Sequence, residues 1–163
     1  MKVGILTMYY NNIGHGGLLQ AYSLQKFLEE SGYNSEVISY DYNYKSRKIA
    51  WIRGMVRRFR LIPYNLLCLK YGDETNKKYK EYMGMIHHSK YYIRNTISEI
   101  DKDYDVIIIG SDQVWNETYC DDAFYLPFIK EAKKKIAYAT SVGKDNLSEE
   151  QLNRLMNKIH LFR

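Results

Sequence analysis

Apolar positions along this chain follow two different spacings. Val3–Met8 is a continuous apolar run, the pattern of a strand buried at the centre of a parallel sheet. A polar stretch, Tyr9–Gly17, follows, carrying Asn11, Asn12, Gly14, Gly16 and Gly17. From Leu18 to Ser31 the spacing becomes three and four. Leu18, Ala21, Leu24 and Leu28 then share one face of a predicted helix, with Gly32 as its stop. Glu36–Asp41 reads as a second strand. The first forty residues therefore spell strand, glycine-rich loop, helix, strand, which is a βαβ unit with a right-handed crossover.

The middle of the chain is less regular. Helices are predicted at Ser46–Leu61 and Asn76–His88, with a break at Pro63 and a short helix at Thr96–Asp101. The pattern sharpens again at Asp105–Gly110, where Val106, Ile107, Ile108 and Ile109 form a β-branched run too short for a helix. Gly110 is expected to end that strand. Residues 117–134 read as a loop with a short irregular element around Phe124–Phe128. Lys135–Val142 reads as a fourth strand closed by Gly143, and Ser148–Ile159 as a helix whose Ser148 and Gln151 form a capping box. The expected fold is α/β, a Rossmann-like doubly wound and mostly parallel sheet. A strand normally follows the last helix of such a series. Residues 1–163 are thus expected to be one Rossmann-like N-terminal domain, incomplete at its C-terminus and without a second domain.

Composition narrows the class further. The chain has 163 residues, 45% hydrophobic and 26% charged, which suits one globular domain with a sizeable core. No apolar run nears the roughly 20 residues of a membrane-spanning helix, and the N-terminus lacks a signal-peptide pattern. Cys68 and Cys120 have neither metal-ligand spacing nor the look of a disulfide framework, so a cytoplasmic location is expected. His87 and His88 are adjacent and would point ~100° apart on a helix, so they form no metal pair. No metal site is expected.

The net charge of +5 is local. Lys45, Arg47, Lys48, Arg53, Arg57, Arg58 and Arg60 occur together with no acid between them. On a helix over Ser46–Leu61, Ile49, Trp51, Ile52, Met55, Val56 and Phe59 share one side and most of the arginines the other. That is the pattern of an interfacial helix, in which each basic residue near an anionic surface contributes about 1 kcal/mol. Peripheral contact with the inner face of a membrane is one expectation. A helix covering the sheet with its arginines in water is the other.

Candidate chemistry gathers after two of the strands. Gly110, Ser111, Asp112, Gln113, Trp115 and Asn116 bring hydroxyl, carboxylate, amide and indole to the end of a strand, where open α/β sheets bind ligands. The alternative is a turn in which Asp112 bonds its own backbone. Asp112 could act as a base or orient a hydroxyl. Gln113 and Asn116 suit hydroxyl recognition or turn stabilisation, and Trp115 is either a sugar platform or a core anchor. Ser141 and Gly143 end the neighbouring strand and would line the same crevice. In the first loop, Asn11, Asn12, Gly14, Gly16 and Gly17 would let backbone approach a phosphate at a helix N-terminus, or would serve close helix-to-strand packing. His15 is a candidate acid or base, or a solvated loop residue. Gln20 and Gln25 read as structural polar positions on the first helix, with Gln20 near enough to its start to face a ligand. Asp41 ends a strand as a ribose-binding acid does, but the glycine string is not a dinucleotide fingerprint.

Three blocks of the chain resemble the polysaccharide pyruvyl transferase family. They are Lys2–Tyr40 with its Gly17-Leu18-Leu19-Gln20-Ala21-Tyr22 helix start, Tyr104–Asn116 with Gly110-Ser111-Asp112-Gln113-Val114-Trp115-Asn116, and Lys135–Gly143. The resemblance implies the N-terminal half of a glycosyltransferase-B-type enzyme, its active site between two Rossmann-like halves. It implies phosphoenolpyruvate as donor substrate and no cofactor. The acceptor would be a sugar or lipid-linked oligosaccharide of a cell-surface polysaccharide, with no nucleic-acid partner. On that reading the donor-binding basic residues lie largely in the other half, and this chain alone is expected to be inactive. Asn11-Asn12-Ile13-Gly14-His15-Gly16-Gly17 departs from the family's usual N-x-G-A loop. The rival readings are a nucleotide-sugar glycosyltransferase of similar architecture and an inactive truncated fragment.

Overall fold

The computed structural model describes residues 1–10, 15–42, 44, 77, 79–118, 120–160 and 162. Five strands build one sheet: β1 (Lys2–Leu6), β2 (Asn34–Asp41), β3 (His88–Ile93), β4 (Val106–Asp112) and β5 (Lys135–Thr140). Every pairing is parallel, and the spatial order is β3-β2-β1-β4-β5. The chain thus winds outward from β1 in one direction and then returns to wind outward through β4 in the other. This is the Rossmann-like arrangement expected from the strand and helix pattern, and its switch point lies between β1 and β4.

Strand alternation sets the two faces. Leu6, Ile38, Tyr40, Ile107 and Ile109 enter one core, together with Ile97, Ile100, Val114, Phe124, Leu126 and Ile129 from the connections. Val3, Ile5, Val37 and Ile108 alternate with them and are also buried. Helix α1 (His15–Glu30) covers this second face, burying Leu18, Ala21 and Leu28. It ends as a Schellman turn, with Gly32 N–H on Glu29 O and Tyr33 N–H on Leu28 O. Gln25 is fully buried and acts as a strut. Its amide nitrogen donates to Ser35 O and His87 O, and its oxygen accepts from His87 N–H. The expectation that Gln25 is structural therefore holds.

Helix α2 (Ile100–Asp103) precedes β4, and α3 (Glu149–Ile159) follows β5. The capping box opening α3 forms as expected, with Ser148 Oγ on Gln151 N–H and Gln151 Oε1 on Ser148 N–H. Asp121 caps a short 3-10 turn at Asp122–Tyr125, inside the stretch predicted to be irregular.

The structure corrects three sequence expectations. The described residues hold five strands rather than four, because His88–Ile93 is a strand where a helix was expected to end. It is an edge strand, and only Tyr92 of its six residues is fully buried, so it carries no apolar run. Helix α1 begins at His15, three residues before the first residue of its apolar stripe. Gly110 does not end β4, which continues through Ser111 and Asp112. A Cβ at Gly110 would touch Ile5 and Leu24 at 3.4 Å, so a small residue is needed where the sheet meets α1.

Asn43–Met85 forms a separate compact unit, in which residues 79–84 are helical. Ser46–Leu61, the candidate membrane-contacting helix, lies outside the described residues. Among the described residues, no helix is long and apolar enough to cross a membrane.

Candidate functional site

The carboxyl ends of β1 and β4 are neighbours, and several of the described candidate residues lie there. Thr7 Oγ1 donates to Ser111 O at 3.4 Å, tying the exit of β1 to the end of β4. Gly17, in the first turn of α1, lies against the Met8 carbonyl: a Cβ there would stand 2.6 Å from Met8 O and 3.7 Å from Asp112 Oδ2. The Asp112 carboxylate therefore faces the N-terminal turn of α1, whose free N–H groups favour negative charge. Of the expected first-loop residues, Gly16 and Gly17 fall in the first turn of α1, and Gly17 lies beside Asp112. Asn11, Asn12 and Gly14 lie outside the described residues, as does the side chain of His15.

Gly17 thus meets the packing demand that the glycine-rich loop raised. Replacing Gly17 with alanine forces the helix start away from Met8, and overpacking of this kind costs about 1–3 kcal/mol. Gly16 has open space around the position of a Cβ. Gly16→Ala should instead stabilise the helix by about 0.5–1 kcal/mol. Urea unfolding of the two variants should therefore move in opposite directions.

The segment after β4 is clasped to β5. Ser141 N–H donates to Asp112 O at 3.0 Å, and Trp115 N–H donates to Ser141 O at 3.1 Å. Asp112 Oδ1 accepts from Gln113 N–H at 2.7 Å. One carboxylate oxygen thus serves the turn, while the other lies on the α1 side. The Gln113 side chain lies across Gly143, at φ +62°, where a Cβ would collide with the amide. Ser141 and Gly143 accordingly line the same edge as Asp112. Gln20 is exposed on α1.

Trp115 is an anchor under the loop. Its indole stacks on Tyr125 at 6.1 Å and 8°, meets Phe162 edge-on at 5.7 Å, and donates to Phe124 O at 3.3 Å. Asp41 is buried at the end of β2 and accepts from the Tyr91 hydroxyl at 3.0 Å, so it joins β2 to β3.

Sequence reasoning does not find the second part of this edge. Arg94, Asn116, Glu117, Cys120, Asp121, Asp122, Tyr125 and Lys158 line a cavity of about 320 Å³. Arg94 directly follows β3, and the signal for that strand was only the Tyr91-Tyr92-Ile93 triplet, rich in strand-forming side chains. Cys120 Sγ lies 3.2 Å from Met8 Sδ and 3.5 Å from Gln113 O. Burial, reinforced by the charges of Asp121 and Asp112, pushes this thiol up to about 12. It stays neutral at physiological pH, which argues against a nucleophilic role. Among the described residues, no His, Cys, Asp and Glu side chains cluster to hold a metal ion.

Comparison with known proteins gives one informative result. No curated protein and no solved structure matches the chain. The family model described as polysaccharide pyruvyl transferase matches residues 12–162, which takes in α1, all the strands after β1 and the segment Ser111–Asn116. The glycine start of α1, the polar end of β4 and the closing turn of β5 meet at one sheet edge within that match, and the chain belongs to the polysaccharide pyruvyl transferase family.

Proposed function

We propose that this domain forms the acceptor-side wall of an enzyme that moves pyruvate from phosphoenolpyruvate onto a sugar of a cell-surface polysaccharide or its lipid-linked precursor. The observation that carries the proposal is the position of Asp112. It stands at the switch point of a parallel sheet, beside the start of α1, in a chain of this family.

The reaction sets clear demands. The methylene carbon of phosphoenolpyruvate takes a proton, and its central carbon is attacked by a sugar hydroxyl. Phosphate then leaves, and a second hydroxyl closes the ketal. One hydroxyl proton balances the proton gained by the methyl group, and the other leaves with phosphate. Asp112 is the candidate to accept a proton from an attacking hydroxyl or to orient it. The N–H groups of the first turn of α1 offer a place for an anionic oxygen. His15 is a candidate proton donor. Asn11, Asn12, Gly14, Gly16, Gly17, Gln20, Gly110, Ser111, Gln113, Trp115, Asn116, Ser141 and Gly143 complete the proposed acceptor wall, within which Trp115 acts by holding the loop. A cytoplasmic site of action, with Ser46–Leu61 against the inner membrane face, belongs to the same proposal.

The enzyme carrying this domain together with a donor-binding domain should release inorganic phosphate from phosphoenolpyruvate when a saccharide acceptor is supplied. The product should show the methyl resonance of a pyruvate ketal in its proton spectrum. Sugar transfer from a nucleotide sugar, without phosphate release from phosphoenolpyruvate, would replace this function with a glycosyltransferase.

A further inference from the structure

The cavity between the end of β3 and the segment after β4 holds two donors with no partner among the described residues. Asn116 is 3% exposed and lines it. Its Oδ1 accepts from Thr118 N–H at 3.0 Å, while its Nδ2 bonds to nothing among the described residues. This amide nitrogen is not sealed off, since among the described residues Glu29 Oε1 is the buried side-chain polar atom that lacks a partner, and a ligand in the cavity can reach it. Arg94 is the second donor. It forms no ion pair among the described residues, although acids stand on the same walls.

Those acids are already engaged. Asp121 accepts from the Tyr40 hydroxyl and from Ala123 N–H. Asp122 holds Lys158 at 2.9 Å, and Glu117 approaches Lys158 and Arg154 at 3.7 Å. Lys158 is therefore neutralised in place, and among the described residues of the cavity Arg94 is the cation left for a ligand. Its planar guanidinium suits a carboxylate or a phosphate, which it can grip with two parallel bonds. The volume of about 320 Å³ lies at the small end of the range for ligand cavities, about 300–1,000 Å³, the size of one sugar ring rather than a dinucleotide.

We propose that this cavity binds one ring of an anionic saccharide, with its carboxylate or phosphate on Arg94 and a ring or hydroxyl oxygen on Asn116 Nδ2. The proposal rests on the pyruvyl transfer reading and deepens it: the acceptor carries a negative charge on or next to the residue seated here. Cys120 connects the cavity to the candidate catalytic edge, since it lines the one and touches Met8 and Gln113 of the other.

Binding can be measured on the chain itself by amide-resolved NMR titration. The probes are glucuronate, glucose 6-phosphate, glucose and inorganic phosphate. No phosphoenolpyruvate is involved, so failure here is separate from failure of the transfer assay. The Asn116 side-chain amide should shift on saturation with an anionic sugar. Glucose and inorganic phosphate should each bind at least about tenfold more weakly, since each supplies only half of the contacts. The tighter of the two anionic sugars identifies the charged group as carboxylate or phosphate.

Arg94→Gln, at an exposed position, should bring the anionic sugars to the affinity of glucose. Asn116→Asp keeps the acceptor for Thr118 N–H but removes the donor, and should weaken both anionic sugars at least about tenfold. Lys158→Arg should change affinity less than about threefold, because the cation at that position stays paired with Asp122 and Glu117. Equal affinity for glucose and the anionic sugars, unchanged binding by Arg94→Gln, or no saturable binding of any probe would overturn the proposal.

Discussion

Replacing Asp112 with asparagine is expected to lower pyruvyl transfer by about 10²–10⁴-fold, the usual contribution of a positioned acid or base. Stability should barely change. Asparagine keeps the oxygen that accepts from Gln113 N–H, and it is as good a turn residue as aspartate. What it removes is the charge and the basic oxygen facing the first turn of α1. The thermal midpoint should therefore stay within about 2 °C of the parent value, which for a domain of this size is about 0.5 kcal/mol. If Asp112 served only the turn, the variant would lose neither activity nor stability. The transfer rate and the melting curve, taken together, decide between the roles.

Truncating Trp115 to alanine should produce the opposite result: a large loss of stability whose effect on activity follows from the loss of fold. Removing a large aromatic from a core costs about 3–5 kcal/mol. Trp115 is half-buried, so the lower end of that range applies. The lost contacts are the Tyr125 stack, the Phe162 edge and the bond to Phe124 O. Trp115→Phe keeps the ring contacts in part and gives up the indole N–H, and the absence of that bond alone costs about 1 kcal/mol. Urea unfolding followed by circular dichroism checks both. An unchanged midpoint for Trp115→Ala would return the indole to the role of an exposed sugar platform.

The legible parts of the fold were those whose side chains are buried on both faces or capped by local chemistry. β1 and β4 announce themselves as apolar runs because both of their faces are buried. α1 shows through its stripe, and α3 through Ser148 and Gln151. β3 is illegible for the opposite reason. Its residues mostly face water, and its stability comes from pairing with β2 and from tyrosine hydroxyls bonded to Asp41 and Asp103. No local periodicity records such contacts.

The candidate site divides in the same way. Ser111, Asp112 and Asn116 could be read because a strong strand points at them. Arg94 could not, because the strand before it was not recognised. Nor could sequence alone decide between the roles of Trp115, which depend on Tyr125 and Phe162 arriving from elsewhere in the chain.

The winding order of the sheet has a consequence in time. β1 is its central strand, yet one of its neighbours is β4: Lys2 N–H bonds to Asp105 Oδ2, 103 residues away. Between β2 and β3 the chain also builds the unit Asn43–Met85. Distant pairings of this kind slow folding. During synthesis at about 5–20 residues per second, β1 would wait about 5–20 s for β4 to be made. Leu6, Ile38 and Tyr40 stay without their cover from Val114, Phe124 and Leu126 for longer still. A ribosome paused within that interval displays an unfinished apolar face, and the nascent chain depends on chaperones for as long as the pause lasts.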